Sequence, residues 1–587
     1  MADSSYSTDL PQPGAIRRFI HLLSTEKREI WYIFIYAILT GIISLSLPLG
    51  VQSLIGFVSS GQIVTSVIIL MIFIILGVLI TGGLQIMQLS LVEHLQQRLF
   101  VKTAFEFAYR IIYVHPESVI NQYPPELVNR FFDVLTVQKG LAKLLLEFSA
   151  AMLQILFGLI LLSFYHPYFI FFGLVLIAIL AIIFRFTSEQ GMKTSLVESK
   201  YKYKLVAWLE DVARTLNTFK LGGESNLVIN KTDDFSSNYI QARKKHFKVL
   251  LTQYISFVGF KTLITGGLLI LGSVLLLNQE INLGQFVASE IIIILTINAV
   301  EKVLLKLDVV YDMLTSTIKL GAVMDLPVNV PQGIRMDELP ADTGFAIRLK
   351  NLSYRFPGDQ RYALRNINLN IAPGERVCIA GYGGSGKTTL LRTMLGLLPS
   401  YEGVITYDKI SLRDLNHGSL MNNIGEDVAG ESLFEGSILE NLTLSHEKAQ
   451  MEDIRWALDC VGLTEFVFSL PQGLHTVLIG GGRQLPRSVA SKLALARTLV
   501  KRPRLLALDD FMLGLDSGEK TRILDRIAES SVGMTVILSS NDKQVMQWCH
   551  RNIVLQDGQL VGEGNYEEIS QSEDFAGWMG RTEGLKD

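Results

Sequence analysis

The residues with the plainest chemical purpose are Gly381-Tyr382-Gly383-Gly384-Ser385-Gly386-Lys387-Thr388, followed by Thr389. They fit the phosphate-loop pattern G-x-x-x-x-G-K-[ST]. Glycines at such spacing let backbone N–H groups curl around phosphate oxygens, at a helix start whose dipole favours negative charge. Lys387 is placed to reach the β- and γ-phosphates, and the Thr388 hydroxyl to hold Mg²⁺. The flanks supply the required setting. Val377-Cys378-Ile379-Ala380 predicts a buried strand, and Thr389 to Leu398 predicts a helix. Together they imply a bound nucleoside triphosphate.

The rest of the chain must hold that loop, and its composition divides in two. Of 587 residues, 49% are hydrophobic, and the apolar excess lies in about the first 310 residues. Six long runs stand out: about Ile30–Ile55, Val67–Leu91, Leu144–Phe164, Pro167–Phe186, Val249–Leu277 and Leu283–Leu304. Each approaches or exceeds the roughly 20 residues needed to cross a bilayer core. Residues 1–13 are polar. Gly14 to Lys27 alternates apolar residues with arginines at helical spacing, as a helix lying in the membrane interface does. Short loops near Gly61, Tyr165–His166 and Asn278–Gln279 carry no Lys or Arg. The connections 92–143 and 187–248 are rich in both, so they and the termini are expected to face the cytoplasm. Those connections also look helical, so the spans are expected to continue well beyond the bilayer. Their polar tips fall near Pro124–Arg130 and Trp208–Asp211.

A net charge of −3 gives no sign of nucleic-acid binding. Cys378, Cys460 and Cys549 lack metal-ligand spacing and read as thiols of a reducing compartment. Inside the predicted spans, Lys261 and Glu290 are charges at costly depth. Their different levels disfavour direct pairing, and Asn298 lies nearer the level of Lys261. From Ala346 onward, β-rich runs alternate with helical ones, the pattern of an α/β fold.

The fold class is therefore an α-helical membrane domain, with six transmembrane helices and long cytoplasmic extensions, followed by an α/β P-loop ATPase domain. The expected divisions are 1–28 (tail and interfacial helix), 29–325 (membrane domain), 326–345 (linker) and 346–587 (nucleotide-binding domain).

This arrangement resembles the half-transporters of the ABC exporter family. The resemblance is carried by the six spans, the phosphate loop, and Arg504-Leu505-Leu506-Ala507-Leu508-Asp509-Asp510. It is carried too by Leu352–Pro357, Gly436–Asn441, Val554–Gly558 and Val128-Asn129-Arg130-Phe131, the last similar to a first coupling segment. It implies that Phe356 stacks on adenine, and that Gly381, Gly383, Gly384, Ser385, Gly386, Lys387, Thr388 and Thr389 hold the phosphates of ATP. Thr388 and Asp509 would hold Mg²⁺, while Asp510 and Asn541 would occupy the catalytic positions. It further implies a homodimer, or a heterodimer with a second half-transporter, in contact with membrane lipids and carrying an unknown exported substrate. The expected location is a bacterial inner membrane, with the nucleotide-binding domain in the cytoplasm.

Several positions depart from the family pattern. Where family members have the LSGGQ signature, this chain reads Leu485-Pro486-Arg487-Ser488-Val489. Pro486 has no N–H, and Arg487 and Val489 add bulk where backbone must approach phosphate closely. The usual catalytic glutamate is Asp510, the Mg²⁺-sensing glutamine is Ala429, and the γ-phosphate histidine is Asn541. Nucleotide binding is thus expected to be kept, with weak hydrolysis. An alternative is an ATP-holding membrane scaffold or regulatory subunit that turns over little.

Overall fold

The computed structural model describes residues 14–59, 65–119, 124–328, 332–336, 343–427, 433–446, 449–510, 515, 517–530 and 533–572. Ala429 lies outside these residues. The chain forms two compact units, one of Met1–Val114 with Val119–Val328, the other of His115–Ser118 with Asn329–Asp587.

The first unit is helical. Among its described residues, six helical segments are long and apolar enough to cross a membrane: Lys27–Val58, Thr65–Tyr113, Glu126–Ser163, Pro167–Arg214, Leu227–Leu277 and Leu283–Met324. They contain the six apolar runs and reach far past them, up to 51 residues in the fifth. A bilayer core about 30 Å thick accommodates about 20 residues of helix. The rest needs other means of packing. Within the apolar stretches, Leu162, Phe169, Leu176, Ile264 and Leu268 form a buried cluster. The second span, by contrast, leaves Ile72, Phe73, Ile75 and Leu79 exposed, as lipid-facing side chains are.

Beyond the apolar stretches, polar groups tie the helices together. His246 is fully buried, with Nδ1 2.7 Å from Thr194 Oγ1 and Nε2 3.2 Å from Asp308 Oδ1. Buried Asp133 accepts from Tyr203 and from Ser316. Such groups remain buried because each finds a partner. The two predicted polar tips meet one another, since the Asn129 amide donates to Glu210. In the third span the helix passes through a π-turn at Leu144–Phe148.

Lys261 has a partner other than Glu290 or Asn298. Its Nζ lies 3.4 Å from Glu301 Oε2, one turn beyond Asn298. Glu301 lies in the last turn of the Leu283–Leu304 apolar run. A carboxylate on the facing helix at matching depth compensates an ammonium better than an amide does. Glu290 Oε1 is buried without a hydrogen-bond partner.

The second unit is α/β. A four-stranded antiparallel sheet has the order β2-β1-β4-β5, with β1 Ile347–Tyr354, β2 Leu364–Ile371, β4 Glu402–Tyr407 and β5 Ile410–Ser411. The six-stranded sheet carries the site, in the order β12-β11-β3-β10-β9-β6. Its strands are β3 Arg376–Gly381, β6 Ile424–Asp427, β9 Leu505–Asp509, β10 Thr535–Ser539, β11 Arg551–Gln556 and β12 Gln559–Gly564. A small ladder pairs β7 Gly436–Ser437 with β8 Val477–Leu478. The pairs β6–β9, β9–β10, β10–β3 and β3–β11 are parallel. Both faces of such strands are covered, which explains the unbroken apolar runs of β3, β9 and β10. Cys378, Cys460 and Cys549 are buried free thiols.

Candidate functional site

Parallel strands present their carboxyl ends on one side, and ligands of open α/β sheets bind there. Ile379 of β3 is in register with Ser539 of β10, and Ser539 with Asp509 of β9. The phosphate loop therefore springs from the strand end beside the two carboxylates, with the Asn541 segment between them. Residues separated by more than 100 positions reach one edge through that register alone.

The loop has the backbone its glycines predict. Gly384 and Gly386 hold φ of +83° and +105°. A Cβ on Gly386 would lie 2.8 Å from the Ala363 carbonyl oxygen, so no other residue fits. At exposed Gly383 and Gly384 an added Cβ would meet nothing within 4 Å, which leaves that face open to a ligand. The helix after the loop runs Lys387–Met394, not Thr389–Leu398. It starts at Lys387 because left-handed Gly386 caps it. It stops early because Gly396, at φ +73°, turns the chain, with Gly396 N–H bonded to Thr393 and Leu397 N–H to Arg392, the Schellman ending.

The Lys387 ammonium donates to the carbonyls of Gly381 (2.6 Å) and Tyr382 (3.1 Å). Its charge thus lies against the first two residues of the loop. Ser385 Oγ and Asp509 Oδ1 are both buried without a hydrogen-bond partner. Orphaned buried oxygens carry a desolvation penalty. A phosphate oxygen accepting from Ser385, and a divalent cation beside Asp509 and the Thr388 hydroxyl, would remove it. The residues present thus fit a magnesium nucleotide.

Asp510 has φ of +42° and donates its N–H to the Ser539 carbonyl at 3.0 Å. A non-glycine residue in the left-handed region is held there by its surroundings, a feature that clusters at working sites. Desolvation, then the neighbouring Asp509, push its carboxyl above the ordinary range, against the pull of Lys387 and Lys520. Phe356 is half-buried just past β1, edge-on to Tyr354 with ring centroids 5.1 Å apart. Its ring is anchored on one side.

The Asn541 amide is bonded to the backbone of the phosphate loop. Its Oδ1 accepts from Gly381 N–H and its Nδ2 donates to Gly381 C=O, both at 3.0 Å. The amide is engaged with the first glycine of the loop, a pairing that a carboxamide makes and an imidazole cannot make with both bonds at once. Replacing Asn541 with alanine removes both bonds and is expected to weaken ATP binding roughly tenfold. Isothermal titration beside the wild type measures it.

Pro486 departs from expectation. It is the N-cap of the helix Arg487–Leu499, and its carbonyl takes the first intrahelical bond, from Ala490 N–H at 3.0 Å. The N–H groups of Arg487, Ser488 and Val489 therefore head the helix, so the dipole is retained. What has changed is the bulk around it.

One buttress was missed by sequence reasoning. Gly558 N–H donates to the Ser385 carbonyl at 3.0 Å, and Arg365 N–H to the Gly558 carbonyl at 2.8 Å. The Asp557-Gly558 turn between β11 and β12 thus braces the phosphate loop from beneath. The dipeptide signals a hairpin turn, but its second task is set by the fold.

Comparison with known proteins agrees with this geometry. The family model "ABC transporter" matches residues 364–512, and "ABC transporter transmembrane region" matches residues 30–300. Over 232 residues the chain is 31% identical to "Cyclolysin secretion/processing ATP-binding protein CyaB" of Bordetella pertussis, covering 40% of this chain and 32% of that protein. Over 367 residues it is 25% identical to "Alpha-hemolysin translocation ATP-binding protein HlyB" of Proteus vulgaris, covering 62% and 51%. The chain thus spans about a third to a half of the length of these relatives. In fold it is similar to a bacterial Atm1-family ABC exporter solved with ATP bound, at a TM-score of 0.83 and 17% identity, over 95% of this chain and 98% of that one. Two family models in tandem, covering most of the chain, on a fold that supplies a phosphate loop, show that it is an ATP-binding integral membrane protein and belongs to the ABC transporter family.

Proposed function

We propose that the chain is one half of an ATP-dependent exporter, working as a dimer with a second copy or with a different half-transporter. The observation that carries this reading is the joint presence of six long apolar helices and a phosphate loop whose Ser385 and Asp509 oxygens are buried and unpartnered. In this reading Phe356 stacks on adenine, while Gly381, Gly383, Gly384, Ser385, Gly386, Lys387 and Thr389 hold the phosphates. Thr388 and Asp509 would hold Mg²⁺, which when bound supplies charge neutralisation at the phosphates. ATP between two nucleotide-binding domains draws them together, and the helical extensions pass that closure to the spans. The nucleotide-binding domain then lies in the cytoplasm, beneath a bacterial inner membrane.

Hydrolysis is slow in this reading. Asp510 is one methylene shorter than the glutamate its position usually carries, and a base must come within about 3 Å of the proton it takes. The second reading, an ATP-holding subunit with little turnover, is favoured by the engagement of Asn541 with Gly381. ATP hydrolysis by the reconstituted chain alone separates the two. Turnover that vanishes in Lys387→Ala supports a working homodimer, and binding without turnover supports a nucleotide-holding half.

The pH profile adds a check on Asp510. Its carboxyl is held above the ordinary carboxylate range, so it takes up a proton sooner as pH falls. Mg²⁺ beside Asp509 would offset part of that rise, so turnover that depends on the charged form is expected at neutral pH and is lost on acidification. In Asp510→Asn that acid limb disappears together with most of the rate.

A further inference from the structure

A pocket of about 590 Å³, with charged and apolar side chains in its wall, lies in the membrane unit. It is enclosed by the N-terminal helix Ala15–Leu22, the second span near Lys102–Arg110, and the end of the sixth span near Thr317–Asp325. Four cationic side chains line it, Arg17, Arg18, Lys102 and Arg110, against two carboxylates, Glu106 and Asp325.

The carboxylates leave positive charge over. Arg110 pairs with Glu106 at 2.6 Å, and Arg18 Nη2 with Asp325 at 2.5 Å. The Arg18 side chain is only 9% exposed, yet its Nε and Nη1 have no hydrogen-bond partner. A buried guanidinium with two unsatisfied nitrogens is under-compensated, because its partner Asp325 stands at the surface, 56% exposed. Lys102 donates to the Thr25 hydroxyl at 2.9 Å, a neutral partner that leaves its charge uncancelled. Arg17 is exposed at the rim.

The neighbourhood says where such an anion would come from. Ile16 and Ile20, one turn apart on the same short helix, are 64% and 61% exposed, and Trp31 beyond it is 63% exposed. An outward apolar face with a tryptophan beside it belongs at the level of lipid headgroups. The pocket therefore opens where phosphates of a bilayer lie, with apolar side chains alongside for acyl chains. Basic pockets between spans on the cytoplasmic side suit phosphate headgroups.

We propose that this pocket binds the phosphate headgroup of an anionic phospholipid. Arg17 and Lys102 contact the headgroup, and Arg18 supplies the uncompensated positive charge behind them. The bound lipid would pin the N-terminal helix against the sixth span.

The test uses the full chain in nanodiscs of phosphatidylcholine with a minor fraction of phosphatidylglycerol, read by native mass spectrometry for phosphatidylglycerol retained per chain. The wild type is expected to retain it in preference to phosphatidylcholine. Arg17→Gln and Lys102→Gln, at exposed positions where folding is undisturbed, are each expected to lower that preference roughly fivefold, and together roughly 25-fold. No preference in the wild type, or an unchanged preference in the double variant, overturns the proposal. Displacement of the lipid by millimolar inorganic phosphate also overturns it, since the site would then serve a free phosphate. Retention in the presence of phosphate supports the lipid.

Discussion

Replacing Lys387 with alanine is expected to weaken ATP binding at least about 100-fold, to the limit of most titrations. Charge-assisted hydrogen bonds to phosphate contribute about 1.5–3 kcal/mol each, and this ammonium is placed to make two. In the structure its Nζ already sits on the carbonyls of Gly381 and Tyr382, so its charge needs no large rearrangement to meet a ligand. The variant should fold, because the helix start depends on Gly386 rather than on the lysine side chain. Unchanged affinity in a variant with a normal thermal transition would reject the site assignment.

The second large effect runs the other way. Changing Pro486→Ser, Arg487→Gly, Ser488→Gly and Val489→Gln together with Asp510→Glu is expected to raise ATP turnover about tenfold or more, as a placed general base contributes 10²–10⁴. The helix start at Pro486 is already in place, with Ala490 bonded back to it, so Arg487→Gly and Ser488→Gly clear space without rebuilding the backbone, and Val489→Gln adds a side-chain amide. The longer carboxylate at position 510 then extends toward the attacking water. Turnover that stays at the wild-type rate, measured as phosphate release in lipid, would locate the limit elsewhere.

Much of this architecture is legible along the chain. The glycine spacing of the phosphate loop and the apolar runs of the spans are local signals, and the structure carries both. The helix after the loop ends at Met394 rather than Leu398, and Gly396 marks that stop in the sequence. The Schellman bonds of Gly396 and Leu397 to Thr393 and Arg392 follow from that local glycine. Other features are not local. Asn541 meets Gly381 because β10 lies beside β3, and no periodicity encodes that neighbour. Gly558 reads as a turn, but its brace on Ser385 depends on the order of the sheet. Lys261 finds Glu301 through the relative depth of two helices, which counting from a loop resolves only to about a turn.

The fifth span has a mechanical consequence. Leu227–Leu277 is one uninterrupted helix of 51 residues, hence about 75 Å long, more than twice the thickness of a bilayer core. It contains no proline and so lacks the commonest cause of a kink. Glycine is also absent as far as Val258, so a push at the Leu227 end is carried with little bending up to Gly259, and any give lies in the last third, at Gly266-Gly267 and Gly272-Ser273. Up to Gly259 the segment acts as a stiff crankshaft, and its stiffness sets how small a movement at one end is felt at the other.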